Sequence, residues 1–134
     1  MNLNSKINDI INFIFDKFGM TDDFPEKPKL HIHDNVFGTL TFTDYERKVV
    51  NSPLLQRLTQ ITQMGLANFV YPGAVHNRFS HSLGVSHISA KIYQKLMESN
   101  TGRSEADKKT DINTLKLAGL FHDIGHSFFC PLFF

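Results

Sequence analysis

Cysteine is all but absent: Cys130 is the single thiol in the chain. One thiol excludes an internal disulfide framework and a zinc site built on cysteines, and it fits a reducing compartment. An excess of charge of one sign is also lacking, since 14 Lys and Arg stand against 13 Asp and Glu for a net charge of +1. No broad field exists to draw in nucleic acid or an anionic membrane, so nucleic-acid binding finds no support in the charge and any anion site has to be local. Long apolar runs are missing too. No stretch approaches the roughly 20 uninterrupted apolar residues that cross a bilayer. Between Met1 and Met20, Asn8, Asp9, Asn12 and Asp16 interrupt the apolar residues as the wet side of a helix would, not as a signal segment. The expectation is a cytoplasmic protein with no membrane partner, a nuclear location being left open.

What is present is apolar material for one core. The 134 residues fall within the roughly 100 to 200 residues of one domain. With 41% hydrophobic and 20% charged residues, 13 of them Phe among the former, the composition is that of a folded chain. With one cysteine on hand, the seven histidines become the residues to follow.

Leu3, Ile7, Ile10, Ile14 and Phe18 recur at helical intervals and Gly19 offers a C-terminal cap. The charged, proline-bearing stretch Thr21 to Pro28 then reads as a linker, which sets residues 1–29, a helix and linker, apart from 30–134. From Leu30 to Thr43, β-branched and aromatic residues around Asp34-Asn35 and Gly38 predict a short hairpin. Asp44 to Val50 reads as a helix capped by Thr43. A second helix starts at Ser52-Pro53, points Leu54, Leu55, Leu58 and Ile61 inward and ends at Gly65. Phe69 to Gly73 reads as a short extended piece leading into a turn. The longest helix is predicted from Phe79 to Ser99. There His81, Val85, Ile88, Ile92 and Leu96 fall on one face, taken as core-facing with His81 at its head. After a polar loop from Asn100 to Thr110, a last helix carries Ile112, Leu115, Gly119 and His122 on one side, and Gly125 stops it. His87 lies off the stripe and reads as exposed, and His31 and His33 alternate in a strand as structural residues. The fold class is all-α with a short β-hairpin near residues 30–43.

His81 at the start of one helix and His122-Asp123 near the end of another offer two imidazole nitrogens and a carboxylate oxygen, a donor set that suits a divalent metal. Adjacent residues on a helix diverge by about 100 degrees, so His122 and Asp123 share no face, yet both can approach an ion at the helix end. Each histidine alone reads as an ordinary core residue. Together with His126 they form a group too costly to bury without a charge to satisfy it. Ligand type does not separate Fe, Mn, Zn, Mg and Ni.

The wording of two segments is more specific than their spacing. Tyr71-Pro72-Gly73-Ala74-Val75-His76-Asn77-Arg78-Phe79-Ser80-His81-Ser82-Leu83-Gly84 is followed by Leu117-Ala118-Gly119-Leu120-Phe121-His122-Asp123-Ile124-Gly125-His126. Together they resemble the HD-domain phosphohydrolases, and among those the deoxynucleoside triphosphate triphosphohydrolases. Upstream, Ser52 to Leu58 and Gln63-Met64-Gly65 resemble the segment that precedes the first ligand. The likeness runs from His31 to His126 and implies that 30–134 is the N-terminal part of an HD-domain helical fold. It implies His81, His122 and Asp123 as metal ligands, Arg78 gripping a phosphate, His126 bonding the reacting phosphate and Gln63 contacting the sugar. The implied reaction is water attack at the α-phosphorus, releasing a deoxynucleoside and intact triphosphate. Homo-oligomers are implied as well.

The family pattern continues beyond this chain, and a further Asp from a later helix completes its metal site. After His126 the family reads Gly-Pro-Phe-Ser-His, where this sequence has Ser127-Phe128-Phe129-Cys130. The resemblance therefore predicts a truncated or frameshifted copy with three of four ligands. Two classes follow: a metal-dependent phosphohydrolase acting on deoxynucleoside triphosphates or another phosphoester, or a catalytically silent module that binds nucleotide or a protein partner.

Overall fold

The computed structural model describes Phe13, Asp16 and residues 30–98 and 102–127. Apart from Phe13 and Asp16, which are helical, the expected first helix and linker lie outside the described residues, as does the end of the chain after Ser127.

Two antiparallel strands, β1 (Leu30–Asp34) and β2 (Gly38–Phe42), pair with Leu30 opposite Phe42 and Asp34 opposite Gly38. Their turn is made by Asp34, whose Oδ1 accepts the N–H groups of Val36 (2.8 Å) and Phe37 (3.0 Å), and by Gly38 at φ +73°. A side chain at that φ would be strained. Alternation buries Leu40 and Phe42 on one face of β2. Phe37 reaches back to helix α3 (Arg78–Met97), where Gly84 leaves room for its ring.

Helix α1 (Asp44–Val50) starts in a reciprocal cap in which the Thr43 hydroxyl takes the Glu46 N–H and the Glu46 carboxylate takes the Thr43 N–H. Ser52 caps α2 (Pro53–Gln56), with Pro53 in the first turn, and a 3-10 turn follows at Arg57–Gln60. Leu55, Leu58 and Ile61 are buried as expected. The helix does not run on to Gly65, however, because the chain from Ile61 to Gln63 turns extended and pairs with the chain from His76 to Arg78. Arg78 donates its N–H to Ile61 O (2.8 Å) and Gln63 donates to His76 O (3.0 Å). This short ladder outcompetes helix continuation and seats the start of α3. Gly65, at φ +55°, then opens another 3-10 turn (Gly65–Phe69), so Phe69 is helical rather than extended.

Helix α3 (Arg78–Met97) is capped by the Asn77 side chain, which accepts the Ser80 N–H at 2.9 Å. It packs along α4 (Glu105–Phe121). The buried row of α3 is Arg78, Ser82, Ser86 and Ala90, each four residues from the last. Small side chains bring the two backbones close: a Cβ on Gly119 of α4 would lie 2.7 Å from the Ser86 Cα and N. This corrects the reading of the stripe Val85, Ile88, Ile92 and Leu96 as core. The small-residue row takes the seam and turns the aliphatic row outward, leaving Ile92 55% and Leu96 63% exposed.

Helix α4 also begins earlier than expected, inside the stretch read as loop. Ser104 accepts the Asp107 N–H, and acidic Glu105 and Asp107 occupy the first turn. That turn is polar all round, so apolar periodicity is blind to it. Leu117 and Leu120 bring α4 into the common core with Leu40, Phe42, Val49, Val50, Leu55, Leu58, Ile61 and Leu83. Lys116 reaches the buried Glu46 at 2.6 Å and ties α4 to α1. Among the described residues, no helix is long and apolar enough to cross a membrane.

Candidate metal centre

The site forms where the start of α3 meets the end of α4. Helix α4 stops at Phe121, with His122 as its C-cap, so Gly125 is not what ends it. The next residues form a turn in which Ile124 N–H bonds Phe121 O (3.2 Å) and His126 N–H bonds Asp123 O (3.1 Å). His122 keeps helical dihedrals as the cap and Asp123 lies just past it, and both side chains reach His81.

The imidazole Nε2 atoms of His81 and His122 are 3.2 Å apart. Ligating atoms of His81, His122 and Asp123 all lie within 4.8 Å of one another. Asp123 is the floor of the cluster, 6% exposed. Its Oδ2 takes a hydrogen bond from Arg78 at 2.9 Å and lies 3.9 Å from His81 Nε2, while its Oδ1 lies 3.5 Å from His122 Nε2 and 3.4 Å from His126 Nε2. About a third of each histidine side chain is exposed, so the mouth of the site is open and its base is dry.

The donor set passes a chemical test for a metal. His122 Nδ1 lies 2.8 Å from the carbonyl of Gly119, which can only accept, so this contact selects the tautomer with its proton on Nδ1 and its Nε2 lone pair turned to the cluster. Metal-ligating histidines show this arrangement, the second nitrogen being anchored on a carbonyl. Burial holds the His81 imidazole below its usual pKa. His122, Arg78 and His76 push the same way, while Asp123 opposes. A neutral ring with an available lone pair is what ligation requires.

Of the other residues singled out, His126 joins the cluster through Asp123. Arg78 joins it as a buried cation, 8% exposed, committed to Asp123 through one nitrogen while its Nε is buried without a hydrogen bond. Gln63 is not brought into the cluster by any of these contacts: its N–H bonds the carbonyl of His76, five residues before His81, and its Oε1 is likewise buried without a partner. His31 bonds Thr41 across the hairpin at 3.1 Å, as a structural residue would. His87 is only partly exposed, contrary to expectation, because the Phe37 ring stands 5.6 Å away from its own.

One residue escaped the sequence reading. Arg57, inside the segment Ser52 to Leu58, was given no role of its own, yet it donates from Nη1 to His126 O at 2.7 Å and from Nη2 to Ile124 O. Its partners are main-chain carbonyls more than sixty residues away, a relation that no side-chain pattern encodes.

Comparison with known proteins places these residues in a family. Residues 78–130 match the HD domain. The deoxynucleoside triphosphate triphosphohydrolase SAMHD1 of Bos taurus is 36% identical over 102 residues, covering 76% of this chain and 17% of that protein. The Homo sapiens protein of the same name is 34% identical, over 76% of this chain and 16% of its own length. The Dictyostelium discoideum homolog is 32% identical over 84% of this chain and 22% of its own. The chain thus spans about a sixth to a fifth of these curated relatives. A solved structure of a hypothetical protein from Aquifex aeolicus superposes with a TM-score of 0.60 at 32% identity, over 74% of this chain and 24% of the other. The matched segment opens on Arg78 and takes in all four members of the histidine and aspartate cluster, so the likeness to the HD domain falls on the residues that form the site.

Proposed function

We propose that the cluster is the metal site of an HD-type phosphohydrolase whose substrates are deoxynucleoside triphosphates. The observation that carries this is the convergence of two imidazole nitrogens and a carboxylate within 4.8 Å. His81, His122 and Asp123 hold a divalent ion, one of Fe, Mn, Zn, Mg or Ni. When bound, such an ion supplies Lewis-acid activation of water and neutralisation of phosphate charge.

The chain's own residues do the rest. Arg78 first supports Asp123, holding the carboxylate in place, and its remaining donors serve phosphate oxygens. His126 Nε2, next to the same carboxylate, holds or passes a proton. Gln63, with its carbonyl oxygen unused, contacts the sugar. The names of the relatives, deoxynucleoside triphosphate triphosphohydrolases, support the substrate class.

The test is to incubate purified protein with Mn²⁺ and mixed deoxynucleoside triphosphates and to assay free triphosphate. Release that disappears in His122→Ala and Asp123→Ala is expected. No release, with nucleotide binding retained, would assign the chain to the silent class instead. Elemental analysis of wild type against His81→Ala identifies the metal.

A further inference from the structure

A helix leaves its last four carbonyls without intrahelical partners, and its dipole puts partial negative charge there. Helix α4 has no basic residue in its own last turn to meet that need. His122 at the cap and Asp123 and His126 in the turn that follows belong to the cluster, so the most negative end of the helix coincides with the residues that must be held in register.

Arg57 brings positive charge to this end from another part of the chain, bonding carbonyls of the turn and not those of the helix itself. Its guanidinium donates through Nη1 to His126 O and through Nη2 to Ile124 O, so one planar fork spans the turn just past Asp123. The base of the fork is fixed. Arg57 is the C-cap of α2, its N–H bonded to Pro53 O, and it lies in sequence between the fully buried Leu55 and Leu58. A side chain rooted in the core and forked onto two carbonyls transmits the rigidity of the core to a turn outside any regular element.

We propose that Arg57 is the positioning residue of the metal centre: it clamps the turn 122–126 so that His122 and Asp123 meet His81 in ligating geometry. The proposal rests on the reading of the cluster as a metal site. A lysine cannot replace Arg57, because a single ammonium cannot span both carbonyls in the same plane.

The experiment compares wild type, Arg57→Lys and Arg57→Gln in two measurements. Amide hydrogen exchange of Ile124 and His126, against that of α3 and the rest of α4, reads the clamp without metal; a Mn²⁺ titration reads its effect on the site. Expected are faster exchange confined to the turn and roughly 10- to 100-fold weaker Mn²⁺ binding in both variants, as for other supports of metal ligands. Arg57→Lys keeps the charge and the stem, so it serves if Arg57→Gln does not fold. Unchanged exchange at Ile124 and His126 overturns the proposal. So does exchange that rises evenly through the protein, which would mark Arg57 as merely structural, or local loosening with wild-type Mn²⁺ affinity. If wild type itself takes up no Mn²⁺ while the turn loosens in the variants, the clamp stands and the metal reading of the cluster falls.

Discussion

The α3/α4 pair carries ion pairs at both ends, but in opposite surroundings. At the site end, Arg78 and Asp123 are 8% and 6% exposed and 2.9 Å apart. At the far end, Lys95 and Glu98 lie 2.7 Å apart with side chains 79% and 62% exposed, and Arg103 and Tyr93 meet on Asp111. There the Tyr93 hydroxyl, with Arg103, holds the Asp111 carboxyl below its usual range. Similar distances do not mean similar energies, since attraction grows and desolvation becomes costly as water is excluded. A buried pair is poor evidence for stability, because apolar residues of like volume serve as well. Its presence at one end of the helix pair marks that end as the place where something other than stability is being held.

The largest effect expected follows directly. Asp123→Ala leaves the Arg78 guanidinium buried without its counter-charge, which costs about 3 to 5 kcal/mol in urea unfolding and abolishes Mn²⁺ binding. Replacing both partners, Arg78→Met with Asp123→Leu, recovers most of the stability and none of the binding. A loss below about 1 kcal/mol for Asp123→Ala, the range of exposed pairs, would erase the contrast between the two ends.

Between the ends the seam is tested at Gly119. The Cβ of Gly119→Ala would stand 2.7 Å from the backbone of Ser86, which cannot swing aside as a side chain can. Overpacking of this kind costs about 1 to 3 kcal/mol, read as a shift of the unfolding midpoint. Ile92→Ala, on the outward row, should change stability by no more than about 0.5 kcal/mol. Equal losses in the two variants would return the aliphatic row to the core.

That contrast shows what could be read from the sequence. The caps at Thr43 and Ser52 act within three residues, so local chemistry reveals them, and the hairpin announces itself through Asp34 and Gly38. His81, His122 and Asp123 were legible because their types and the wording around them point to one chemistry. The face of α3 was not legible. Periodicity finds the apolar row, but close approach of two helices rewards small residues, and Ser82, Ser86 and Ala90 carry little apolar signal. Nor could periodicity show that Ile61 to Gln63 prefers pairing with His76 to Arg78, because that competition is decided across the chain. Arg57 was hidden for the same reason.

A smaller effect, read as a slope rather than a loss, concerns His87 midway along α3. Burial holds its pKa below the usual value; Lys91 of α3 and Lys116 of α4 add to this, and Asp34 of β1 opposes. The Phe37 ring is its apolar neighbour. The folded protein therefore takes up this proton later than the unfolded chain as pH falls. The stabilising contribution is complete above the unfolded value of about 6.5 and is lost as pH drops below it toward the folded value. His87→Gln should flatten the decline of the urea midpoint on acidification. An unchanged slope would mean that His87 is as well hydrated as the far-end charges.

The smallest effect belongs to the far end and completes the contrast with Asp123. Lys95→Ala removes a pair that is 2.7 Å long, shorter than the Arg78 to Asp123 bond. By distance alone it would rank as the stronger contact. Both side chains stand in water, however, so breaking the pair returns each charge to a solvent it had barely left and frees two long side chains to move. The expected loss is no more than about 0.5 kcal/mol, and what there is should vanish in about 1 M salt, where screening acts within roughly 3 Å. The buried pair, shielded from ions as from water, should keep most of its effect at that salt. A Lys95→Ala loss approaching that of Asp123→Ala, or an equal salt response at both ends, would show that burial is not what separates them.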